Sequence, residues 1–179
     1  MGDLALLLLA AGSSSRMRGG DKLLEEVDGT PLLRRQALAG KAAGLTVVVT
    51  LPLDRPLRTQ SVEELHIWCV AVPDAQDGMS ASIRRGVAAL PATTETVIIL
   101  PADMPEIGLD ELTQMRRAVE AAPNQVLRGA TSDGRVGHPV VFPARCFGAL
   151  KALQGDVGAK PVLKEEQVVP IVLTGEAAV

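Results

Sequence analysis

Residues 4–22 read LALLLLAAGSSSRMRGGDK. An unbroken apolar run, 4–9, passes directly into small residues and then into Arg16, Arg18 and Lys22. A short run of this kind marks a strand buried on both faces, as in parallel sheets. It is too short to cross a bilayer, which takes about 20 apolar residues. A secretory leader carries basic residues ahead of its apolar run, where this chain has Asp3. The stretch therefore reads as a buried strand. In open parallel sheets ligands bind beyond the carboxyl ends of the strands, so the small and basic residues that follow mark where chemistry is expected.

The same signal recurs along the chain. Residues 46–51, 67–72, 96–100 and 140–142 are further apolar, β-branched runs expected to be buried strands, with weaker candidates at 125–128 and 167–173. Helices are expected at 31–43, 80–90, 109–121 and 144–153. Thr30-Pro31 reads as an N-cap followed by a proline at the first helical position. Leu109, Leu112, Met115 and Val119 share one helical face. Alternating strands and helices predict an α/β class with a mostly parallel sheet. The 179 residues suit one domain.

Composition narrows the function classes. Only 2% of residues are aromatic and none is tyrosine, which leaves no stacking platform for single-stranded nucleic acid. A net charge of −3 without a basic tail gives no general polyanion surface. Cys69 and Cys146 stand far apart without metal-ligand spacing and are expected as buried free thiols, in keeping with a reducing cytoplasm. Trp68 is expected to pack beside the third strand.

The segments after the strands carry the chemistry. Ala10, Ala11, Gly12 and the serines let a ligand approach the backbone, whose N–H groups can form an anion nest. Arg16 and Lys22 add the positive charge that a polyphosphate requires. The spacing is not that of a P-loop, because Leu23 follows Lys22, and it is not G-x-G-x-x-G, which disfavours a Rossmann dehydrogenase. A plain surface loop is the alternative. Residues 78–86, GMSASIRRG, place Gly78, Ser80 and Ser82 at the opening of a helix whose free N–H groups can meet a nucleotide; Ser80 as a simple N-cap is the alternative. In LPADMP, 100–105, Asp103 ends a strand between prolines. Its carboxylate suits Mg²⁺, which takes one or two carboxylates plus phosphate oxygens and water. Capping the following turn is the plainer role.

LAAGSSSRM with the following DKLL resembles the opening signature of the MobA-like nucleotidyltransferases, which include molybdenum-cofactor guanylyl- and cytidylyltransferases and sugar-nucleotide pyrophosphorylases. The match covers Leu9, Ala10, Ala11, Gly12, Ser14, Arg16, Met17 and Lys22, and departs at Arg18, where the family usually has glycine. GMSASIRRG, GHPVVFP (137–143) and GDVGAKPVL (155–163) resemble segments of the cytidylyltransferase branch. The resemblance implies a three-layer Rossmann-like nucleotidyltransferase fold with a mostly parallel (mixed) central sheet. It implies Mg²⁺-dependent transfer of CMP from CTP to the phosphate of a molybdenum-bound pterin cofactor, with loss of pyrophosphate. Arg16, Lys22 and Asp103 would be catalytic, with Asp103 the metal ligand. Leu9, Ala10, Ala11, Gly12, Ser14, Arg16, Lys22, Gly78, Ser80 and Ser82 would bind the nucleotide, and His138 and Asp156 the acceptor.

His138 also reads as an ordinary turn histidine. Asp156 reads equally as metal support, substrate orienter or helix cap. The implied setting is cytoplasmic, without nucleic acid or membrane, and with a molybdoenzyme as a partner that receives the modified cofactor. Rival readings are a transferase using GTP or a sugar or polyol phosphate, and a non-catalytic nucleotide-binding or cofactor-delivery protein. Guanylyltransferases tend to carry LAGG where this chain has LAAG. Relatives continue past the last strand into an aspartate-rich segment where this sequence ends, at 174–179. The expectation is a single nucleotidyltransferase domain over 1–179, truncated at its C-terminus, with a second metal ligand beyond it.

Overall fold

The computed structural model describes residues 3–12, 20–174 and 177–179. The first apolar run forms β1 (Asp3–Leu9). It pairs in parallel with β4 (Thr46–Pro52) on one side and β6 (Thr94–Pro101) on the other. β5 (Trp68–Val72) extends the sheet beyond β4. Beyond β6 lie β8 (Val136–Pro143), β7 (Val126–Ala130) and β9 (Val168–Val172), giving the order β5-β4-β1-β6-β8-β7-β9. β8 alone runs against the other six strands. Its beginning therefore lies at the edge where the parallel strands end. A small hairpin, β2 (Glu26–Val27) with β3 (Thr30–Pro31), stands apart from this sheet.

Strand periodicity sorts the core onto two faces. Leu6, Leu8, Val47, Val49, Ile98 and Leu100 pack with α1 (Leu32–Ala42) and α4 (Leu109–Ala121). Their neighbours Ala5, Leu7, Val48, Val97 and Ile99 pack on the opposite face. There they meet α3 (Met79–Ala88), α5 (Phe147–Lys151) and α6 (Lys160–Lys164). The result is helix, sheet and helix in three layers. Two helical glycines allow the layers to close. A Cβ on Gly40 of α1 would lie 2.5 Å from the Leu6 side chain, and a Cβ on Gly86 of α3 would overlap Leu7. Leu6 and Leu7 are adjacent, so the two helices press on the same point of β1 from opposite sides.

Several expectations change. Residues 67–72 were expected as a fully buried strand, but β5 is an edge strand and only Val72 of its five residues is buried. Its outer side pairs with nothing among the described residues, so Trp68 is 55% exposed and Cys69 is also exposed. Cys146 is buried as expected. Thr30-Pro31 does not cap α1; the pair belongs to the β2–β3 hairpin, and the Leu32 N–H donates to the Glu25 carbonyl (2.9 Å). The helix expected at 144–153 is a 3₁₀ turn, Ala144–Cys146, followed by the shorter α5. On α4, Leu112 and Met115 are buried whereas Leu109 is exposed at the first turn. The short helices α2 (Pro56–Val62) and α6 lacked a readable apolar stripe.

Gly86→Ala should destabilise the fold by about 1–3 kcal/mol through overpacking against Leu7, even though alanine improves helix propensity by roughly 1 kcal/mol. Urea denaturation measures this. Shortening the neighbour in Gly86→Ala/Leu7→Val should recover part of the loss.

Candidate functional site

The carboxyl ends of β1, β4 and β6 are laced together. The Leu9 carbonyl accepts from the Ala102 N–H (3.1 Å), and the Ala10 N–H donates to the Thr50 carbonyl (3.1 Å). Ala10 and Ala11 are buried and Gly12 is exposed. The N–H groups of Ala11 and Gly12 have no hydrogen-bond partner among the described residues. Backbone donors left open in this way suit an incoming anion. Ser14 and Arg16 lie outside the described residues.

Lys22 and Asp103, 81 residues apart in sequence, come together. Lys22 Nζ donates to the Asp103 backbone carbonyl at 3.0 Å and lies 4.0 Å from its carboxylate. Both side chains are about half exposed (44% and 58%), so a ligand can reach them. Two further side chains hold the same segment. Gln36 Nε2 donates to the Met104 carbonyl (2.6 Å) and Arg35 Nη1 to the Pro105 carbonyl (2.9 Å), both from α1. Three successive carbonyls are thus tied down, while the Asp103 carboxylate points outward.

Sequence reasoning missed Arg58 on α2. Its side chain is fully buried. Nη1 donates to the carbonyls of Ala10 (2.6 Å) and Gly12 (2.8 Å). Nε and Nη2 form a two-pronged pair with Asp21 at 2.7 and 3.0 Å. Arg55 Nη1 stands 3.6 Å from the same carboxylate. Asp21 also caps the 3₁₀ turn Lys22–Leu24 by accepting from the Leu23 N–H (3.1 Å). In sequence, Arg58 sits among Arg55, Thr59, Gln60 and Ser61, a polar run that reads as surface.

On the other face of the sheet, Gly78 occupies the N-cap position of α3 with φ +89°. Ser80 does not cap; the cap comes from Asp156, whose carboxylate accepts from the Met79 N–H at 2.9 Å. A Cβ at Gly78 would strike Asp156, so only glycine allows this contact. Ser80 and Ser82 are buried, and Ser80 Oγ has no partner among the described residues. Arg84 and Arg85 of α3 pair with Asp74 and hold its carboxyl below the usual carboxylate range.

His138 lies at the beginning of β8. Ile99 pairs with Val140, so the reversed register sets His138 across from Pro101, at the end of β6. Burial pushes its imidazole below the ordinary 6.5, and Arg128 adds to the effect; Asp103 and the Ile99 backbone oppose it. Arg128 itself donates from Nε to the Gly137 carbonyl (2.9 Å). His138 Nδ1 is buried without a partner among the described residues.

No group of three or more metal-ligating His, Cys, Asp or Glu side chains exists among the described residues. A divalent ion at this edge would take the exposed Asp103 carboxylate and complete its shell with phosphate oxygens and water. No helix among the described residues is long and apolar enough to cross a membrane.

Residues 6–170 match the MobA-like NTP transferase domain family. A molybdenum cofactor guanylyltransferase of Burkholderia orbicola (strain MC0-3) is 30% identical over 162 residues, covering 88% of this chain and 75% of that protein. The bifunctional protein GlmU of Sorangium cellulosum (strain So ce56) is 30% identical over 144 residues, covering 73% of this chain but 30% of GlmU. The present chain thus corresponds to about a third of that relative's length. Rv0371c of Mycobacterium tuberculosis H37Rv, whose crystal structure is of a complex with manganese, shares the fold at TM-score 0.78 and 22% identity, over 96% of this chain and 88% of that one.

Asp156→Ala should cost about 1 kcal/mol of stability, the usual worth of an N-cap, read by urea denaturation. For His138 the linkage has a definite sign. Below pH 6.5 the unfolded chain gains a proton that the folded chain resists, so stability falls as pH drops through and below that value. His138→Gln should flatten this part of the profile, measured as urea midpoints between about pH 7 and about pH 5.5.

Proposed function

This chain belongs to the MobA-like NTP transferase family, and we propose that it transfers CMP from CTP to the phosphate of a molybdenum-bound pterin cofactor, releasing pyrophosphate. The observation that carries the reading is the meeting of Lys22, on the 3₁₀ turn Lys22–Leu24, with Asp103, just past the end of β6. A cation and an outward carboxylate, half exposed and rigidly backed, suit a triphosphate and its divalent ion.

In the proposed reaction a terminal phosphate oxygen of the acceptor attacks the α-phosphorus of CTP. The new P–O bond forms as the α–β anhydride bond breaks, and the electron pair leaves with pyrophosphate. The attacking phosphate is already ionised, so no general base is needed. Lys22, together with Arg16, neutralises the triphosphate and the charge growing on the leaving group. The open N–H groups of Ala11 and Gly12 contribute in the same sense. Asp103 would hold Mg²⁺, which would supply charge neutralisation for the phosphates; the manganese bound by Rv0371c supports a divalent ion in this fold. Gly78, Ser80 and Ser82 line the side where α3 begins. His138 would face the acceptor. Asp156 acts through the α3 N-terminus that it caps.

GTP is the second reading, favoured by the relative named as a guanylyltransferase. The LAAG opening and the three later segments support CTP.

The decisive measurement is pyrophosphate release with Mg²⁺ and each of CTP, GTP, ATP and UTP, with and without molybdenum-loaded pterin cofactor. Release with CTP only when the cofactor is present supports the proposal. Release with GTP moves the specificity to the second reading. Binding without release favours a cofactor-delivery role. Lys22→Ala and Asp103→Ala should each lower kcat about 100-fold, equivalent to roughly 3 kcal/mol of transition-state stabilisation, while both proteins stay folded. Normal turnover in both variants would remove these residues from the site.

A further inference from the structure

We propose that Arg58 is the positioning residue of the triphosphate site, a buried fork that sets both ends of the loop between Gly12 and Asp21. The inference rests on the nucleotide reading above and deepens it.

One arm of the guanidinium takes the carbonyls of Ala10 and Gly12. A trans peptide holds its C=O and the following N–H on opposite sides. Turning the Ala10 carbonyl toward Arg58 therefore turns the Ala11 N–H away from it. That N–H is one of the open donors at the ligand edge. The other arm holds the Asp21 carboxylate. Asp21 in turn caps the short turn from which Lys22 reaches the Asp103 carbonyl. A single planar group thus orients a backbone donor at the loop entrance and a side-chain cation at its exit.

Arginine suits this task and lysine does not. Five N–H donors in a rigid plane serve four acceptors in fixed directions among the described residues, whereas an ammonium is a point charge with three rotatable donors. Burying so large a cation is costly without such full pairing. The full burial of Arg58 separates orientation from contact: Arg58 need not touch the nucleotide to govern its binding.

The test compares affinities for CTP and CMP, or GTP and GMP if the unaltered protein prefers them, by titration calorimetry with Mg²⁺. A loss of structure alone weakens both nucleotides alike. Misplaced phosphate donors weaken the triphosphate selectively. Arg58→Lys should reduce the ratio of triphosphate to monophosphate affinity about tenfold or more, since misplacement by about an ångström carries penalties of this size. A folded Arg58→Lys protein with an unaltered ratio would overturn the proposal. If Arg58→Lys does not fold, Asp21→Asn decides, because it keeps the carbonyl arm and the side-chain shape. A reduced ratio there supports the proposal, and an unaltered ratio overturns it. Failure of the underlying reading shows separately, as no binding of either triphosphate by the unaltered protein, and would overturn both.

Discussion

Everything in this molecule is referred to β1, and β1 is held by compression. Gly40 and Gly86 let two helices close on the adjacent residues Leu6 and Leu7 from opposite faces. Parallel neighbours grip the strand on both edges. Interiors are packed as densely as organic crystals, so a strand enclosed on four sides has little freedom to slide or tilt. Its last residues then act as a datum. β6 ends beside it and delivers Asp103; β4 ends on its other side and leads into α2, which delivers Arg58.

Three of the carboxylates at this edge are differently engaged. Asp21 is absorbed by arginines, and Asp156 is spent on the helix it caps. Asp103 keeps its carboxylate outward, with a lysine at its base. In the reading proposed above, Lys22 and Asp103 would address phosphate and its divalent ion, whereas cytidylyl specificity concerns the base, so one such phosphate site would serve relatives that differ in nucleotide.

The apolar runs made the sheet legible, because a strand buried on both faces writes its environment into consecutive residues. The same logic misled at β5. Its apolar residues were read as buried, yet strand composition does not record position in the sheet, and Trp68 stands in solvent. Lys22 and Asp103 could be singled out because each belongs to a recognisable segment, and Asp103 stands just past the end of β6. Arg58 could not be: its significance comes from acceptors that, among the described residues, are supplied at least 37 positions away, and nothing in its neighbourhood announces burial. Asp156 left three roles open, and the Met79 N–H selected the cap. His138 was placed by the reversal of β8, which an apolar run cannot declare.

The Asp156 cap spans 77 positions of sequence. During synthesis α3 is completed well before its cap leaves the ribosome. Its first turn must wait with an open N-terminus while β6, α4, β7 and β8 are still being added. Long-range closure of this kind comes late in folding, after the local contacts on which it depends. The first turn of α3 thus cannot be capped until residue 156 has been made.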